Sequence, residues 1–259
     1  MLALDLNTLL SFALIFIRVG AIIFALPIFG DQPIPVQVRV MLAVALSFLI
    51  FGDARGLNVD VANLNTLSLA LLVLKEIFIG IIFGFIARVI ISGLTMAAEL
   101  VGYQMGFGTA NLLVPDADMQ MNAFTALHRI IVILIFLTLN LHFLFISGII
   151  ESFSLVPIGT ASITGATTLS LTSITAEMFL VAFKLSAPVL VALLFAMSAM
   201  GLMARTVPQM NVFTFSFPAS FFLGLIIYIA TIPFFPSWFT EQFTGGQQRI
   251  NAALEALSL

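Results

Sequence analysis

Two histidines, His128 and His142, and two aspartates, Asp116 and Asp118, are the first residues to test for chemistry in this chain of 259 residues. The histidines stand fourteen positions apart in one apolar stretch. On a continuous helix that spacing gives roughly one face but a separation of about 21 Å along the axis. One metal ion does not bridge that gap, and neither histidine has a third ligand or a nucleophile close in sequence. His142, in LNLHFLFISG, reads as a packed or hydrogen-bonded residue; Asp116 and Asp118 beside Pro115 read first as turn chemistry and second as a cation site. No phosphate-cradling glycine loop, metalloprotease motif or nucleophile elbow appears. Cysteine is absent, which removes thiolate catalysis, disulfides, iron–sulfur clusters and most structural zinc sites. The chain reads as a non-enzyme with no cofactor and no metal.

The remaining chemistry is charge in apolar surroundings. Hydrophobic residues make up 61% of the chain and charged residues 8%, against roughly 45–50% and about 25% in soluble proteins. Nine Lys plus Arg against twelve Asp plus Glu give a net charge of −3, so no basic face exists to neutralise a nucleic-acid backbone, and nucleic acid is excluded as a partner. Yet Arg18, Lys75, Glu76, Arg88, Arg129 and Lys184 interrupt apolar runs. Five such cations facing lipid at helix centres would cost on the order of 15 kcal/mol. They must pair, line water, snorkel to headgroups or lie outside lipid. The favoured reading is a helical protein buried mainly against other proteins, with membrane lipid covering only part of it.

Two constellations could serve that purpose. Glu76, Gly80, Gly84 and Arg88 recur every fourth residue, a ridge whose small residues let another backbone approach closely. This predicts an interface with another subunit or with another segment of the same chain. The second is the joint Glu99–Met121, ELVGYQMGFGTANLLVPDADMQM, which lacks good helix or strand periodicity. Gly102, Gly106 and Gly108 loosen it, Pro115 breaks any helix, and Tyr103, Met105, Phe107, Leu112, Leu113, Met119 and Met121 keep it apolar. Irregular apolar backbone cannot face lipid but can be buried in protein or line a cavity. Flexible Met and Phe side chains there suit an adaptable hydrophobic constriction.

The elements that position these residues are six apolar stretches, at about residues 6–26, 36–51, 67–95, 122–150, 176–204 and 217–235, separated by polar or Gly/Pro-rich joints. Pro27, Pro33 and Pro35 close the first joint, Pro157 the fourth, Pro208 and Pro218 the fifth, and Pro233 with Pro236 end the last stretch. Val36–Phe51 and Ala219–Ile232 fall short of the roughly 20 residues of a regular span. Arg55 and Arg249 on one side balance Arg39 and Arg205 on the other, so the positive-inside rule does not orient the chain. Val156–Thr175, rich in Ser, Thr and Gly and without charge, reads as a solvated connector. The first ten residues lack the positive region of a cleavable signal and are expected to be retained. A stand-alone carrier of a small solute is the competing reading, with Lys75, Glu76 and Arg88 recruited to a mid-membrane site, but internal repeats are not evident.

The ordered motifs resemble a known family. RVGAIIFALPIFG (Arg18–Gly30), PIPVQVR ending at Arg39, EIFIGIIFGF (Glu76–Phe85), GYQMG (Gly102–Gly106), SFxLVPIG (Ser152–Gly159), APVL (Ala187–Leu190) and above all GLMARTVPQMNVF (Gly201–Phe213) are similar to the FliR/SctT family of type III export-gate proteins. The resemblance spans nearly the whole chain, and its wording leans flagellar. It implies one all-α export-gate domain over residues 1–259, with about 1–175 FliP-like, including the loop 99–121, and about 176–259 a FliQ-like helical pair and tail. It implies assembly with FliP- and FliQ-type subunits into a spiral, near FlhB- and FlhA-type components, in the bacterial inner membrane at the flagellar basal body. Unfolded proteins would be the cargo. By the same resemblance the stretch Met105, Gly106, Phe107, Gly108, Leu112, Leu113, Pro115, Met119 and Met121 is a pore plug. Subunit contacts fall to Glu76, Gly80, Gly84, Arg88, Arg205, Pro208, Gln209 and Asn211. One departure stands out: the family often has an acidic residue directly before the loop proline, whereas here Pro115 precedes Asp116.

Overall fold

The computed structural model describes residues 6–26, 35–53, 65–107, 123–162, 165–206 and 211–258. Every regular element among the described residues is helical: α1 (Leu6–Ala25), α2 (Val36–Asp53), α3 (Thr66–Gln104), α4 (Ala123–Thr138), α5 (His142–Leu155), α6 (Gly165–Thr206), α7 (Val212–Thr231), a 3₁₀ turn (Ile232–Phe234) and α8 (Phe235–Ser258). The all-α class read from the sequence is therefore the observed one. Four helical stretches among the described residues are long and apolar enough to cross a membrane: Asn7–Ala25, Thr66–Gln104, Thr167–Thr206 and Thr214–Leu257.

The chain divides into two compact units. The first gathers Met1–Ile91, His142–Thr175 and Phe243–Leu259; the second gathers Ser92–Leu141 and Ala176–Gln242.

In the first unit, α1 buries Leu14, Ile15, Arg18, Val19, Ile22 and Ile23, a stripe at helical period. Its contacts give the direction of its neighbours. Phe12 meets Phe51 and Phe24 meets Arg39, in descending order, so α2 runs antiparallel to α1. Arg18 meets Glu76, Ala21 meets Gly80 and Ala25 meets Gly84, in ascending order, so α3 runs parallel to α1. The last part of α8 joins them through buried Ile250, Ala253, Leu254 and Leu257, and Phe243 stands edge-on to Phe145 of α5 at 6.1 Å between centroids.

In the second unit, the end of α3 runs alongside α6. A Cβ at Gly93 would meet the carbonyl oxygen of Met178 at 3.0 Å, and Gln104 Nε2 reaches Met197 Sδ at 3.4 Å. Aromatic side chains of α4, α7 and the start of α8 fill the rest of its interior.

Several boundaries differ from the expectation. The third stretch continues as helix to Gln104, into the joint expected to be irregular, because Leu94, Ala97, Ala98, Val101 and Met105 form a buried stripe that outweighs Gly102. The fourth stretch is two helices. Asn140 takes φ 54°, its N–H donates to Leu137 O at 3.1 Å and that of Leu141 to Phe136 O at 3.1 Å, the bonding of a Schellman stop. His128 and His142 thus lie on different helices, and a separation measured along a single helix axis does not apply.

The stretch Val156–Thr175 is not a solvated connector throughout. Its second half opens α6, Ala161 and Thr167 are buried, Ser162 N donates to Leu257 O at 2.8 Å and Thr167 Oγ1 to Ala256 O at 3.2 Å. Those bonds occupy carbonyls that the end of α8 would leave open. Pro218, expected in a joint, lies inside α7, which starts earlier because the Asn211 side chain caps it, accepting from Thr214 N at 3.2 Å. Residues after 235, given no element in the sequence reading, form α8.

Candidate functional site

The charges of the apolar helices find their first explanation in a buried clasp. Arg18 of α1 and Glu76 of α3 are both fully buried, and Arg18 Nε donates to Glu76 Oε2. Arg18 Nη1 donates to the carbonyls of Ser152 at 3.0 Å and Val156 at 2.8 Å, at the buried C-terminal end of α5. The guanidinium carbon sits 4.3 Å from the centre of the Phe153 ring. Glu76 Oε1 accepts from Gly159 N at 2.9 Å, and the neighbouring Lys75 Nζ donates to Gly159 O at 3.0 Å. Two helix side chains therefore grip both faces of one peptide turn. That turn closes through Thr160 N to Pro157 O at 3.2 Å and needs a residue at positive φ, which Gly159 supplies at 82°.

Just beyond the clasp along α1 and α3, small residues let the two backbones approach. A Cβ on Gly80 would collide with Ala21 and lie 3.0 Å from Ile22 N; one on Gly84 would collide with Ala25 and press its Cα at 3.0 Å. The neighbour that the glycine ridge anticipates is, for these residues, another segment of this chain. A polar partner set ties α5 to α8 as well. Glu151 Oε2 accepts from Gln247 Nε2 at 3.1 Å and Asn251 Nδ2 at 2.9 Å.

The second unit carries a different arrangement. Gly106 has φ 98°, and a Cβ there would meet Phe217 Cδ2 at 2.6 Å. Phe107 stacks on Phe124 at 6.5 Å between centroids and meets Phe221 edge-on at 5.7 Å. Phe124 in turn meets Tyr228 at 4.8 Å, and the Tyr228 hydroxyl is 2.7 Å from His128 Nδ1. His128 is thus an interior residue, buried among Tyr228 and Phe235, with Nδ1 held by the tyrosine hydroxyl and Nε2 buried without a hydrogen-bond partner among the described residues. Met105 is buried where a Cβ on Gly224 would meet it and Leu193.

Of the residues expected in the apolar loop, Met105, Gly106 and Phe107 take part in this packing. Gly108, Leu112, Leu113, Pro115, Met119 and Met121 lie outside the described residues, as do Asp116 and Asp118. Among the expected contact residues, Glu76, Gly80 and Gly84 face α1, Arg88 is exposed on α3, Arg205 is exposed at the end of α6 and Asn211 caps α7; Pro208 and Gln209 lie outside the described residues. Lys184 is exposed and Arg129 half-buried. His142 opens α5 beside Phe143, ring centroids 4.4 Å apart. No group of three or more His, Asp or Glu among the described residues could hold a metal ion.

Sequence reasoning missed the partner of Arg18. A weak signal was present: Arg18, Ala21 and Ala25, at intervals of three and four, lie on one helical face in the same charge–small–small order as Glu76, Gly80 and Gly84, which are four apart. It also missed the Glu151 cluster and Tyr228, whose only marks are single polar residues in otherwise apolar or amphipathic helices.

Comparison with known proteins adds the remaining observation. Residues 9–246 match the family described as bacterial export proteins, family 1. The flagellar biosynthetic protein FliR of Escherichia coli K12 is 30% identical over 217 residues, 84% of this chain and 82% of that protein. The FliR proteins of Bacillus subtilis 168 (30%, 85% of each chain) and Aquifex aeolicus VF5 (29%, 87% of this chain and 86% of that one) are similar to the same extent.

Proposed function

The chain belongs to the bacterial export proteins of family 1, and from that premise we propose that it is a structural, pore-forming subunit of the flagellar protein-export gate, without catalytic activity of its own. It assembles with FliP- and FliQ-type subunits, near FlhB- and FlhA-type components, in the bacterial inner membrane, and passes unfolded flagellar proteins. The observation that carries this reading is the match over residues 9–246 to a family whose similar members are flagellar FliR proteins. About residues 1–175 act as the FliP-like portion and about 176–259 as the FliQ-like portion of one gate domain.

In this reading the loop from Gly106 to Met121 is the plug. Its support is chemical: Met, Phe, Leu and Gly without a cation give a deformable apolar constriction that holds back ions and water until a polypeptide displaces it. Met105, Gly106 and Phe107, packed against Gly224, Phe217 and Phe221, are its root. Exposed Arg88 and Arg205, with Pro208, Gln209 and Asn211, are the proposed contacts to neighbouring subunits, while Glu76, Gly80 and Gly84 support the assembly by holding α1 in place.

Deleting Gly106–Leu113 in cells that make the whole gate should render them leaky to ions and small solutes; an unchanged seal removes the plug role. Co-expression with FliP- and FliQ-type chains followed by native mass measurement should recover a hetero-oligomer. A lone chain that is monodisperse and binds a solute unaided overturns the gate reading.

A further inference from the structure

The first helix is long and apolar enough to cross a membrane from Asn7 to Ala25, yet it carries a guanidinium at Arg18 that has no exposure at all. Such a charge opposes entry of α1 into lipid as an isolated helix. Its partners arrive late in the sequence. Glu76 follows 58 residues after Arg18, and the carbonyls of Ser152 and Val156 follow 134 and 138 residues after it. Glu76 is equally buried and equally unsuited to enter alone. Between the two, Gly80 and Gly84 against Ala21 and Ala25 bring the helices close enough for the charges to meet without intervening water.

We propose that Arg18 and Glu76 couple the insertion of α1 to that of α3. The first helix is not seated when it is made; it takes its place only beside the third, as a charge-neutral pair. The turn Pro157–Thr160 then locks the pair, because Arg18 needs the end of α5, and Glu76 and Lys75 need the two sides of Gly159. Arg18 and Glu76 act here as positioning residues, and the sequence dependence runs backwards along the chain: a residue in α3 decides the fate of a helix made before it.

The absence of cysteine makes a direct readout available. Gly20, in α1, has open space where a Cβ would stand, so Gly20→Cys is a mild reporter. The full-length chain is translated into inverted membrane vesicles, and its labelling by a charged, impermeant maleimide is timed directly after synthesis, before degradation can remove misplaced chains. With Arg18 and Glu76 intact, labelling is slow. Glu76→Gln should raise its rate by about tenfold or more, as α1 is left outside lipid. In an Arg18→Leu background, where α1 can enter alone, the same Glu76→Gln change should leave labelling slow, within about twofold. Slow labelling of Glu76→Gln with Arg18 present overturns the proposal. So does an equal rise in both backgrounds, which would mean that Glu76 acts through a group other than Arg18. Carbonate extraction of the same chains gives an independent second measure, with the integrated fraction expected to fall and recover in the same pattern.

Discussion

The clasp of the first unit and the aromatic root of the second solve the same problem, fixing helices in an apolar interior, by opposite means. Around Arg18 and Glu76 the binding groups are few, charged and mutually dependent: each is costly to bury unless the other is present. Around Phe107 and Phe124 they are many, neutral and independent: each ring adds contact with two or three others. The first arrangement is directional and all-or-none, and the second is graded. A helix pair that must find one register benefits from the former, and an interior filled by neutral side chains from the latter.

The sharpest way to break that contrast is to remove one charge and then both. Arg18→Met or Glu76→Met alone should cost about 3–5 kcal/mol, because an unpaired buried charge remains. The double variant Arg18→Met/Glu76→Met should regain most of the loss, visible as restored membrane accumulation and detergent melting temperature. A double variant no better than either single one would show that the two charges do not serve each other. The aromatic root should behave in the opposite sense. Phe124→Ala, which empties a buried site, should cost about 3 kcal/mol, and adding Phe107→Ala should lower the melting temperature further. Recovery in that double variant would erase the distinction between the two regions. The smallest change sharpens rather than breaks it: Asn211→Ala, which removes the cap of α7 alone, should cost about 1 kcal/mol in the same melting assay.

How much of this was legible depends on where the information lies. The all-α class and the need to satisfy buried charges follow from composition, since so few polar residues cannot hide in a membrane-sized apolar chain unpaired. The ridge Glu76, Gly80 and Gly84 was visible because glycine is conspicuous at fourfold spacing. Its counterpart was not, because Ala21 and Ala25 look like ordinary apolar filling in RVGAIIFALPIFG. The stop after α4 was hidden for a related reason: LNLHFL offers one asparagine, and only the backbone bonds around Asn140 reveal that it ends a helix. The reach of α3 to Gln104 is hidden because Gly102 is conspicuous in the sequence, whereas the stripe of Leu94, Ala98, Val101 and Met105 is recognisable only from its burial. The late helix α8 escaped notice because polar residues dominate it, although Ile250, Ala253, Leu254 and Leu257 keep helical spacing.

The grip of Glu151 on Gln247 and Asn251 has a temporal side. A ribosome that has just finished residue 200 holds a carboxylate whose companions do not yet exist, together with the oily flank of α5 that they will cover. For the seconds that remain, at the usual pace of about 5–20 residues per second, the nascent chain is vulnerable to proteases and to its own copies.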